Sequence, residues 1–92
     1  MIPKVVEAKY EEDYQIWLRF DDGTQGTIDL KDELWGDIFE PLKDINEFSK
    51  VSVDPELNTI IWPNGADFAP EFLYQKLRPD YSLNNEPKSG AL

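Results

Sequence analysis

The run Thr59 to Tyr74, reading Thr-Ile-Ile-Trp-Pro-Asn-Gly-Ala-Asp-Phe-Ala-Pro-Glu-Phe-Leu-Tyr, constrains the fold more than any other part of the chain. Ile60 and Ile61 have strand character, Pro63 ends donation to a ladder, and Asn64-Gly65 is a strong turn pair. Asp67 and Pro70 then mark the opening of a helix. A strand, a sharp turn and a helix start are thus expected within one short stretch. Such punctuation specifies a shape and names no reaction.

The residues before this run read as strands. Val5 to Tyr10 is β-branched and aromatic with Glu7 and Lys9 interposed, and Glu11-Glu12-Asp13 reads as a solvated turn. From Tyr14 to Phe20 the period is two, with Tyr14, Ile16, Leu18 and Phe20 on one face and Gln15, Trp17 and Arg19 on the other. Asp21-Asp22-Gly23 supplies a hairpin turn, after which Thr24 to Leu30 returns with Ile28 and Leu30 inward. Gly26 leaves a gap in that strand's side-chain pattern, which a bulge or the close approach of a neighbouring element explains.

Helical signals are shorter. One or two helical turns are expected between Lys31 and Pro41, and Asp44-Ile45-Asn46-Glu47 resembles a capping box that opens a helix over Asp44 to Ser49. Val51 and Val53, the turn Asp54 to Asn58, and Thr59 to Trp62 form a second hairpin. Phe68, Phe72, Leu73 and Leu77 recur near helical spacing, and Pro79 stops the helix. The expected fold class is therefore α+β, a small two-layer domain over residues 1–79 in the order βββαββα. Its antiparallel three-stranded meander is followed by a second hairpin and two short helices, with 80–92 as a mobile polar tail.

With 92 residues the chain has room for one modest core and no second lobe. It carries 19 Asp and Glu against 9 Lys and Arg, a formal charge of -10. That field repels phosphate and anionic lipid, so neither direct nucleic-acid binding nor membrane association is expected. It suits either a solvated surface or an acidic docking face for a small basic protein partner. There is no cysteine, the first residues lack the apolar run of a signal peptide, and no apolar run approaches the roughly 18 residues of a membrane span, which fits a cytoplasmic protein.

The chain contains no histidine, which removes Ser-His and Cys-His nucleophile pairs and, with cysteine absent too, the usual zinc ligands. Asp21-Asp22-Gly23 lacks the alternating ligands of a calcium loop, and no glycine-rich phosphate cradle opens a helix. We therefore expect no enzyme activity, no cofactor, and no catalytic or metal-binding residue. Asp67 and Glu71 are spaced for one helical face and could do acid–base work, but capping by Asp67 and dipole complementation by Glu71 is the simpler role.

Trp17 points away from the apolar face of its strand, so it either lies under a second layer or anchors an interface. Trp62 is read as a core or loop-pinning residue, and Asn64 either supplies positive φ or recognises a ligand. The candidate partner or ligand surface is drawn from Trp17, Arg19, Trp62, Asn64, Asp67 and Glu71. A binding module is the main expectation, with a small ligand-binding protein or enzyme using the Trp62 to Glu71 turn as the alternative. A homodimer through a sheet edge is also open.

Three stretches carry a family likeness: Phe20-Asp21-Asp22-Gly23 with Ile28-Asp29-Leu30, Ile38-Phe39-Glu40-Pro41-Leu42, and Ile61 to Tyr74. On these the chain resembles the small bacterial proteins grouped as domain-of-unknown-function family 2442. The resemblance implies an α+β fold with antiparallel strands and no established activity. It also implies an antitoxin-like role beside another small protein encoded nearby. Some members add a helix-turn-helix segment for DNA binding; the polar C-terminal residues here lack a helical pattern.

Overall fold

In the computed structural model, residues 2–79 are described, and the expected tail at 80–92 lies outside them. Three strands, β1 (Val5–Glu12), β2 (Gln15–Phe20) and β3 (Gln25–Asp29), pair antiparallel in that order. Alternation in β2 does what its period of two requires: Ile16, Leu18 and Phe20 are fully buried, while Trp17 and Arg19 emerge half-buried on the other face. The Asp-Gly turn forms as expected, with Gly23 at φ +89° and its N–H bonded to the Phe20 carbonyl at 3.0 Å.

The first hairpin turn differs from expectation. β1 continues through Glu11 and Glu12, and Asp13, at φ +48°, makes the tip with Tyr14. A register shift falls between Tyr10 and Glu12, and Glu11, which alternates onto the same face as Lys9, accepts at Oε1 from Thr27 Oγ1 at 2.6 Å. Charged side chains do not end a strand whose outer face is wet.

Two 3-10 turns, Lys31–Glu33 and Glu40–Lys43, lead to α1 (Ile45–Phe48). Asp44 caps α1 by accepting from Asn46 N–H at 2.9 Å, but the reciprocal half of the expected capping box does not form. The Asp44 N–H donates to Pro41 O at 3.3 Å instead, and Glu47 is drawn to Lys50 at 3.1 Å.

β4 (Ser52–Asp54) and β5 (Thr59–Ile61) form the second hairpin, with Asp54 Oδ1 accepting from Glu56 and Leu57 N–H across the turn. Val5 N–H donates to Asn58 O at 2.9 Å, which brings this hairpin beside β1. The chain then turns at Pro63-Asn64-Gly65 and enters α2 (Pro70–Leu77). Here Asp67 departs from its expected role. The N-cap is Ala69, without a side-chain cap bond, and Asp67 lies earlier, bridged to Ile61 and buried. The bridge to β5 keeps Asp67 extended, and Pro70 at the first helical position needs no N–H partner.

The expected α+β class and the order βββαββα hold, with the two 3-10 turns added between β3 and α1. One hydrophobic cluster joins the five strands and both helices, centred on aromatics: Trp62 sits 5.5 Å from Phe48 and 5.8 Å from Phe68, and Phe39 stacks on Phe68 at 4.7 Å. Phe20 meets Tyr74 edge-on at 5.0 Å, fixing α2 to the meander. Among the described residues no helix is long and apolar enough to cross a membrane.

Candidate functional site

Strand register decides what surrounds Trp17. Its cross-strand neighbours are Lys9 on β1 and Thr27 on β3, and Arg19 lies between Glu7 and Gln25 in the next row. Lys9 Nζ stands 5.7 Å from the indole centroid, a cation–π arrangement at an exposed site. Arg19 Nε donates to Glu7 Oε1 at 3.1 Å, with both side chains about two-fifths exposed (44% and 40%), so this pair orients the guanidinium more than it stabilises the fold. Glu11, reaching Thr27, completes a ring of charged and polar groups around one half-exposed indole.

The turn from Trp62 to Glu71 is built differently. The indole N–H of Trp62 donates to Phe48 O at 2.8 Å, and the Trp62 side chain is only 2% exposed. Asn64 is exposed, yet its amide is engaged on both sides: Nδ2 donates to Ile38 O at 2.9 Å and Oδ1 accepts from Ala66 N–H at 3.0 Å. Gly65, at φ +89°, supplies the positive dihedral that Asn64 was a candidate for. Thr59 Oγ1 donates to Phe68 O at 2.5 Å beneath the turn. Trp62 is interior, in keeping with its reading as a core or loop-pinning residue and not with a place on the candidate surface, and Asp67 is interior too, because β5 and the Ile61–Asp67 bridge fold the turn onto the core. Glu71 is partly exposed in the first turn of α2, where the helix dipole favours a carboxylate.

The six candidate residues therefore fall into two groups. Trp17 and Arg19 share the outer sheet face, whereas Trp62, Asn64 and Asp67 belong to the turn and Glu71 to the helix that follows it. Sequence reasoning missed Lys9, Glu7, Glu11 and Thr27 as neighbours of Trp17. The register set by the two hairpin turns was the signal that could have found the first two and Thr27; Glu11 alternates with Glu7 and Lys9 but reads in the sequence as part of the turn.

A polar cluster ties the β2–β3 turn to α2. Tyr74 O–H donates to Asp22 Oδ2 at 2.6 Å, and Thr24 N–H donates to Asp22 Oδ1 at 2.9 Å. The Tyr74 hydroxyl first, then the Thr24 N–H, hold the Asp22 carboxyl below the ordinary aspartate value, with the Arg78 charge adding to them. Arg78 also lies 5.9 Å from the Tyr74 ring.

Among the described residues no group of three or more Asp or Glu side chains is arranged to hold a metal ion. A groove of about 480 Å3 opens between α2 and the edge of β3 that pairs with no strand among the described residues, lined by Thr27, Ile28, Asp29, Phe72, Gln75, Lys76 and Pro79, and so lies apart from the Trp62 to Glu71 turn. Comparison with curated proteins and with solved structures finds no match. Residues 5–79 match the model of a family described as protein of unknown function (DUF2442), and the chain belongs to that family.

Proposed function

We propose that this chain is a non-enzymatic binding module whose outer sheet face docks a small basic protein, neutralising it in the manner of an antitoxin. The observation that carries the reading is Trp17. A large aromatic stands half-exposed at the centre of a sheet face that no helix among the described residues covers, ringed by Lys9, the Arg19–Glu7 pair and the Glu11–Thr27 bond. Aromatic anchors framed by polar rims are where binding energy concentrates in protein interfaces.

Charge supplies the partner's sign. At -10, four of the chain's basic side chains are already tied into ion pairs with Glu7, Glu40, Glu47 and Glu33. The remaining carboxylates steer a cationic protein toward the surface and repel nucleic acid. In this reading the protein acts in the cytoplasm, beside the product of a neighbouring gene.

Co-expression with that product followed by size-exclusion chromatography tests the proposal. Co-elution at low salt that weakens as salt rises is expected, and Trp17→Arg lowers it without unfolding the chain. Separate elution at low salt counts against the reading.

A further inference from the structure

Among the described residues, the edge of β3 that faces away from β2 has no partner strand. Phe20 N–H donates to Thr24 O and Leu30 N–H donates to Tyr14 O, and the β2–β3 register continues that pattern through Gly26 and Ile28. In an antiparallel pair alternate residues turn their backbone groups to opposite edges. Gln25, Thr27 and Asp29 therefore direct their N–H and C=O groups outward, and Thr27 and Asp29 do so along the wall of the groove. Across the groove stand Phe72 and Lys76 of α2, with Ile28 below. The opposite edge of the sheet differs, because the β4–β5 hairpin lies beside β1.

We propose that this groove takes an extended segment of alternating basic and apolar residues as a fourth strand on β3. The inference rests on the basic-partner reading and specifies how part of that partner binds. Side chains of an added strand alternate between the two faces. Those turned inward reach the apolar surface of Ile28 and Phe72. Those turned outward fall beside Gln25, Thr27 and Asp29, continuing the Trp17 row.

Charge selects basic residues for the outward positions. Exposed carboxylates stand at both ends of β3, Asp21 and Asp22 before it, Asp29 as its last residue and Asp32 after it. Lys76, a cation on the groove wall, is already paired with Glu33 at 3.3 Å and lies over the Phe72 ring at 5.6 Å. Lys31 and Arg78, whose charge acts on Asp22, are the exposed cations near those four acids. A second copy of the chain fits less well. A two-fold axis beside Thr27 would direct two copies of α2 toward the same space, and both chains carry the same large negative charge.

The test uses the full chain and a fluorescein-labelled heptapeptide, Lys-Val-Lys-Val-Lys-Val-Lys, with its Glu-for-Lys counterpart as control. At low salt the basic peptide raises fluorescence anisotropy and the acidic one does not, and the Thr27 and Asp29 amides gain protection from hydrogen exchange when it is added. Thr27→Pro removes an outward donor from an edge strand while leaving the donors to β2 in place, so it weakens the peptide by at least about tenfold. Thr27→Ser, which keeps both the outward donor and the hydroxyl that bonds Glu11, changes affinity by less than about twofold.

Equal binding by Thr27→Pro overturns strand addition, since only a diffuse acidic surface would then be at work. So does protection of both amides in the free chain, or a doubled mass by light scattering, either of which gives the edge to another occupant. No binding of the basic peptide overturns it as well. If the co-expressed partner stays bound to Thr27→Pro but is lost by Trp17→Arg, the sheet-face reading stands and the fourth strand falls.

Discussion

Leu77 Cδ2 lies 2.9 Å from the point a β-carbon on Gly26 would occupy. The helix α2 thus reaches the inner face of β3 at the one position where β3 has no side chain, and that approach places α2 along the groove edge. Gly26 is in ordinary strand backbone, so the constraint comes from the neighbour and not from its own dihedrals. Gly26→Ala should cost about 1 kcal/mol, less than a rigid clash would, because the obstacle is the end of a flexible side chain. In a double-mutant cycle with Leu77→Ala the two changes should couple by about 0.5 kcal/mol or more, read from urea denaturation midpoints.

The two tryptophans provide a contrast within one chain. Trp62 fills the core and its indole N–H satisfies the Phe48 carbonyl, whereas Trp17 lies on a wet face under Lys9. Trp62→Ala should destabilise by about 3–5 kcal/mol through cavity formation and the stranded carbonyl, while Trp17→Ala stays within about 1 kcal/mol. Equilibrium unfolding of both variants checks this. A large loss for Trp17 would make it a structural residue and remove the anchor of the proposed interface.

Asn64 clamps the loop before the second 3-10 turn to the Trp-Pro-Asn-Gly corner. Asn64→Asp retains an acceptor for Ala66 N–H but sets a carboxylate oxygen against the Ile38 carbonyl. We expect a loss of about 1 kcal/mol and faster hydrogen exchange at Phe39 and Glu40, whose N–H groups bond to Gly36 O in that loop.

The Asp22–Tyr74 contact predicts a pH dependence. Because the folded-state pKa of Asp22 is depressed, its contribution is fully present above the ordinary aspartate value, about pH 4, and is lost as pH falls through the lower folded value. Tyr74→Phe removes the largest cause, so the Asp22 titration measured by NMR should move up toward the ordinary value. An unmoved titration would mean that Thr24 and the Arg78 charge set it without the Tyr74 hydroxyl.

Much of this molecule was legible in the sequence because its strongest signals are local. The alternation from Ile16 to Phe20 fixes which face is buried, Asp22-Gly23 fixes a turn, and Pro63 to Gly65 fixes a corner, each through backbone sterics or the period of the strand. The site residues were legible only in part. Trp17 could be assigned to the outer face, but whether a second layer covered it depended on which side α2 chose, and no local rule states that. Asp67 looked like a cap because caps are common before Pro; its extended bridge to Ile61 is a long-range pairing that overrode the preference.

The sequence by itself determined the elements, their order and the sign of the surface charge, since these follow from short-range dihedral preferences and from composition. Tertiary structure alone decided three further things. It packed Leu77 over Gly26 and so opened the groove beside β3; it drew Trp62 and Asp67 inward; and it gathered Lys9, Glu11, Arg19 and Thr27 around Trp17. These depend on register and on helix placement, which are settled by how side chains far apart in the chain fill one core.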